Sequence, residues 1–169
     1  LLSEFSSVCL SLLIAYWVGV GIPLLLYSPD ATGFALLFTG TALTIVFTAI
    51  AFLAAVRSKD KARGIGIALL LWFYFSQIYD ALILLILFAF SEYPMEKITL
   101  LLSALNPVDL ARIFIMLKLD ISALMGYTGA LYKDFFGSLS GMLYTMGIMF
   151  IWMAVPLWLA IRAFKRKDL

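Results

Sequence analysis

Arg57–Asp80 reads RSKDKARGIGIALLLWFYFSQIYD, and the fold turns on how this stretch is read. Its first seven residues hold four cations, Arg57, Lys59, Lys61 and Arg63. An apolar run follows without a break, with Gln77 and Asp80 inside it. A basic cluster set against a hydrophobic run marks the cytoplasmic edge of a membrane. A carboxylate within such a run is costly in lipid and requires a partner or a function.

Composition agrees. The 169 residues are 64% hydrophobic, with a mean hydropathy of +1.08, whereas soluble domains are about half apolar. No soluble core of this size hides so much apolar surface, so the chain is an integral membrane protein. The chain has no His and a single Cys, Cys9. That excludes an intramolecular disulfide and argues against a Zn or haem centre; Cys9 reads as a small packing residue, and no cofactor is expected. The sequence opens at Leu1 without a basic flank, and Glu4 precedes the first apolar run, the reverse of a signal peptide. The expectation is therefore the C-terminal part of a longer protein.

Four spans of roughly 30 Å hydrocarbon length are expected over 8–26, 33–56, 65–90 and 138–161, as one transmembrane domain covering 1–169. Gly19, Gly21 and Pro23 should loosen the outer half of the first span, and Pro156 should kink the last. Thr39, Thr41, Thr44 and Thr48 in the second span can bond back to their own helix or across to a neighbour. Eight of the twelve Lys and Arg residues lie in the 57–64 turn and in the tail from Arg162. The positive-inside rule puts both on the cytoplasmic side and both ends of the segment with them.

The run ITLLLSALNPVDLARIFIMLKL within 91–137 tests that topology. Asn106-Pro107 interrupts it, and Asp109 and Arg112 fall near its centre, so it is not a fifth span. Asn106 reads as a helix N-cap, with Pro107 at the first helical position and Asp109 in the first turn. Two short helices lying in or dipping into the outer interface are expected.

Asp80 is the sharpest candidate. It lies about ten residues, roughly 15 Å, from the outer end of its span, and Gln77 and Ser76 can share its side. Two readings stand: a polar patch facing a pathway, or a hydrogen-bonded acid that fixes helix packing. Asn106, Pro107, Asp109 and Arg112 are candidates for an outer docking surface. Arg57, Lys59, Lys61 and Arg63 anchor topology, or else contact a cytoplasmic subunit or anionic lipid. Met142, Met146, Met149 and Met153 form one helical stripe; thioethers suit Cu(I), but Met is also a common filler of apolar interfaces, so metal binding is the weaker reading. Gly137 and Gly141 make a GxxxG, a weak signal for helix contact or a dimer. There is no P-loop pattern and no catalytic His, so ATP-driven work would need another polypeptide.

RSKDKARGIGIALLLWFYFSQIYDALIL and LNPVDLARIF resemble the NosY family, the permease subunits of an ABC system that assists copper-site maturation of nitrous-oxide reductase. The wider group is the ABC-2 type permeases, with six transmembrane helices per subunit, of which this chain would supply the last four. The resemblance implies an all-α polytopic fold and a homodimer. It also implies a cytoplasmic ATPase subunit (NosF) and a periplasmic β-helical partner (NosD), in the inner membrane. It does not imply a cargo, and the main ATPase-coupling helices would precede this segment. An ABC-2 exporter of a drug, lipid or ion, and a non-transporting scaffold, are the alternatives. A membrane enzyme is disfavoured, because the polar residues form no acid–base or metal cluster.

Overall fold

A computed structural model describes residues 2–27, 29–90, 96–118 and 139–165. Apart from short links, the described residues are helical, with no strand among them. Four helices are long and apolar enough to cross a membrane: α1 (Leu2–Tyr27), α2 (Ala31–Arg57), α3 (Lys61–Ala89) and α6 (Leu139–Lys165, apolar enough from Leu143). Two short helices, α4 (Glu96–Ala104) and α5 (Pro107–Lys118), separate the third span from the fourth. The run that could have passed for a fifth span is therefore broken at Leu105-Asn106, where the Asn-Pro pair ends one helix and starts the next.

α1 and α2 overrun their expected bounds at both ends, and α3 and α6 at their basic ends. α3 begins at Lys61 rather than at residue 65, so the link from α2 is Ser58–Asp60 and not an eight-residue turn. Arg57, Lys61 and Arg63 thus sit on helix ends, where long stems can follow the apolar surface and carry their charges out of it. Asp30 starts α2 by accepting from the Gly33 N–H at 2.9 Å. α6 runs through Pro156 to Lys165 without a break in the helix. Gly137 of the GxxxG lies outside the described residues, whereas Gly141 is buried.

The chain divides into two compact units, 1–72 with 150–169, and 73–149. In the first, α2 is the most enclosed span, with 39% of its apolar window buried against 11% for α1. Its buried face is mostly small: Ala35, Thr39, Ala42, Ala49 and Ala54 among Leu37, Val46 and Ile50. Lipid tails are as apolar as leucine, so spans associate by close packing of such surfaces rather than by expelling water. Phe5, Cys9 and Ala49 form a buried cluster with Leu13, Ile45, Phe52 and Leu157 packed on it. The Phe5 and Phe52 rings meet edge-on, 5.4 Å between centroids. Cys9 is accordingly a packing residue, and Thr39, Thr44 and Thr48 donate back to carbonyls three or four residues earlier.

α1 contains a π turn at Trp17–Gly21, and two residues at its start tie it to α2. The Tyr16 hydroxyl donates to the Leu36 carbonyl at 2.9 Å, and Trp17 Nε1 donates to Thr41 Oγ1 at 3.2 Å. The Tyr16 ring crosses the helix over Gly40, where an added Cβ would collide with the hydroxyl and ring. Gly40→Ala is expected to cost about 1–3 kcal/mol, the range for overpacking a filled site, read by SDS-titration unfolding. Tyr16→Ala combined with Gly40→Ala should cost less than the sum of the two singles; strict additivity would refute the contact.

Candidate functional site: a polar junction between α3 and α5

Within the unit 73–149, α3 carries a second π turn, Tyr74–Ile78, immediately before Tyr79 and Asp80. A π turn inserts one residue into the α ladder, re-aims the side chains that follow, and is frequent at functional sites. The α4–α5 link meets α3 here. Asn106 Nδ2 donates to the Phe75 carbonyl inside the π turn at 2.9 Å. Asn106 Oδ1 accepts from the Val108 N–H at 3.0 Å, capping α5 as its sequence position predicts. Asn106 is fully buried, so one side chain both starts a helix and holds a neighbouring one. The Tyr79 hydroxyl adds a bond to the Leu102 carbonyl, 2.7 Å, at the end of α4.

One turn into α5, Arg112 forms a hydrogen-bonded ion pair with Asp80. The two lie thirty-two positions apart in the chain. Their side chains are 39% and 24% exposed, so the pair keeps an open side. Beneath it Leu110, Ala111, Ile113 and Phe114 are buried and seat α5. Asp109 is also buried, and burial pushes its carboxyl above the ordinary carboxylate range. A hydrogen bond with Ser103 pulls the other way, nearby Asp80 pushes upward again, and Arg112 pulls it down. Two carboxyls thus share the field of one guanidinium, and only Asp80 is paired with it.

The junction brings together Asp80, Asn106, Pro107, Asp109 and Arg112, which the sequence suggests as two separate groups. Gln77 is exposed. The Ser76 hydroxyl is buried and has no hydrogen-bond partner among the described residues. Arg57, Lys59, Lys61 and Arg63 lie exposed at the α2–α3 link. Along the Met stripe, Met149 is buried, Met153 half-buried and Met146 exposed, and the Met142 side chain is outside the described residues. Tyr79, Ser103 and the Phe75 carbonyl escape a reading of the sequence. Tyr79 beside Asp80 is the one signal available, since a buried tyrosine seeks a partner for its hydroxyl.

Chemically, the arrangement is a latch. It offers no nucleophile with a base, and it ties an acid in a spanning helix to a short helix outside the spans.

Comparison with known proteins bears on the whole chain. The ABC-2 family transporter protein model matches residues 1–169. A protein of Pseudomonas aeruginosa described as a probable ABC transporter permease protein NosY is 30% identical over 168 residues. The match covers 94% of this chain and 58% of that protein.

Proposed function

The chain belongs to the ABC-2 family of transporter proteins, and from that premise we propose that it is part of the membrane permease subunit of an ABC transporter. The permease itself is not an enzyme: ATP is hydrolysed by a separate cytoplasmic subunit, and this chain, as one transmembrane domain, carries the resulting motion through the membrane. The cargo or beneficiary lies outside, and the maturation of a periplasmic copper enzyme, nitrous-oxide reductase, is the reading favoured here. The protein works as a homodimer in the inner membrane with both ends of this segment cytoplasmic. A NosD-like periplasmic protein docks near α4 and α5. The basic α2–α3 link serves as a topological anchor and at most as a secondary contact for the ATPase.

One observation carries this reading. The two stretches on which the resemblance rests, 57–84 and 105–114, touch each other through Asn106–Phe75 and Arg112–Asp80. A spanning helix is thereby fastened to a segment outside the spans, which is what a permease needs if motion within it is to reach a partner.

The test is affinity purification of the full-length protein from its own membranes in mild detergent, with partners identified by mass spectrometry. An ABC ATPase together with a periplasmic copper-maturation protein is expected. An ATPase alone would favour an exporter of another cargo, and no ATPase under gentle extraction would leave only a scaffold.

A further inference from the structure

At the α2–α3 link, in the unit that contains residues 1–72, lies a cavity of about 320 Å³. Its rim carries Arg57, Lys59 and Arg63. Its walls run down the two spans: Leu53 and Ile50 lie one and two turns from Arg57 on α2, and Ile67 and Leu71 lie one and two turns from Arg63 on α3. Eight residues from Arg63 to Leu71 make a groove roughly 12 Å deep at 1.5 Å per residue. No acid lines it, and none of the three rim cations has an ion-pair partner among the described residues. Gly64 keeps the two helices close just below the rim, since a Cβ there would stand 3.2 Å from the Ala55 Cα. A larger cavity of about 750 Å³ on the other side of the link includes Asp60 beside Lys59 and Lys61, and its charge is mixed.

We infer that the Arg57–Lys59–Arg63 groove is a binding site for one anionic phospholipid, with its phosphate on the three cations and an acyl chain between α2 and α3. The pattern of charge at one end and apolar wall along the rest is that of an amphiphile. A free anion would leave the groove below it empty. A cytoplasmic protein could reach the rim but not walls that descend along spanning helices. Basic pockets between helices at a membrane face bind anionic head groups, and each Lys or Arg held near an anionic lipid surface strengthens attraction about fivefold.

The test is native mass spectrometry of the purified full-length permease with dioctanoyl phosphatidylglycerol, dioctanoyl phosphatidylcholine or inorganic phosphate at equal concentration. The expected result is retention of the glycerol lipid at least tenfold over the choline lipid. Arg57→Gln with Arg63→Gln should erase that preference. Because lost cations can also disturb insertion, Ile67→Trp is the second variant: it keeps every charge, fills the groove, and should lower retention about tenfold. Equal retention of both lipids overturns the inference. So does displacement of the lipid by phosphate alone at equal concentration, which would make this a free-anion site. Unchanged lipid retention in both variants, with loss of the co-purifying ATPase, also overturns it and makes the rim a protein contact.

Discussion

Arg112→Met is expected to destabilise the full-length protein by about 2–3 kcal/mol in SDS titration, one of the two largest effects predicted for a single side chain. Asp80 lies nine residues before Ala89, roughly 14 Å inside the end of an apolar span. Methionine keeps the bulk of the arginine stem and removes only the guanidinium, so the cost isolates the charge. An acid left without a partner at such a depth costs about 2.5–3.5 kcal/mol on insertion scales. Breaking a buried pair costs about 3–5 kcal/mol, and the lower figure applies because Arg112 is 39% exposed. Asp80→Asn should be milder, since an amide is cheaper to hold in lipid than an unpaired carboxylate. The double variant Asp80→Asn with Arg112→Met should recover most of the loss, with a coupling energy of at least 1 kcal/mol. Singles that simply add would show the two side chains to be neighbours without being partners.

The same pair shows what a sequence can and cannot disclose. Asp80 stands out because a charge in an apolar run is expensive wherever the chain goes. Its partner does not, because local spacing reasons along one helix and reaches only Gln77 and Ser76, whereas Arg112 arrives from another helix. Asn106-Pro107 is legible for the opposite reason: capping is local chemistry, fixed by which residue types stand at successive positions. The second bond of Asn106, to the Phe75 carbonyl, is not local and is invisible beforehand. The π turns at Trp17–Gly21 and Tyr74–Ile78 leave no compositional mark. They shift a hydrogen-bond ladder by one residue, and the residues they contain, WVGVG and YFSQI, are types that ordinary α turns also hold. Spans are legible by hydropathy, and their ends less so: Lys61 and Arg63 belong to a helix that hydropathy starts only at residue 65. Helix propensity and long basic stems extend a span past the lipid at little cost.

Asn106→Ala should be the other large effect, about 2–4 kcal/mol, because one truncation removes two unrelated supports. Loss of an N-cap costs about 1 kcal/mol, and leaving a buried hydrogen-bonding group without its partner costs about 1–3 kcal/mol more. The site is fully buried, so no water stands ready to replace the amide. Two further variants separate the parts. Asn106→Ser retains a capping oxygen but does not reach Phe75, and should recover about 1 kcal/mol relative to alanine. Asn106→Asp also retains the cap, but sets a carboxylate oxygen against the Phe75 carbonyl where a donor stood, and should be no better than alanine. Amide exchange in the π turn at Tyr74–Ile78 reports the remote half directly. It should quicken in Asn106→Ser and Asn106→Asp alike, although both keep the α5 cap. Unchanged exchange there, with stability lost only through α5, would mean that Asn106 is a helix cap alone and that α3 is held to the α4–α5 segment by Arg112 and Tyr79. The coupling proposed for this chain would then rest on the Arg112–Asp80 pair and the Tyr79–Leu102 bond, of which the ion pair keeps an open side.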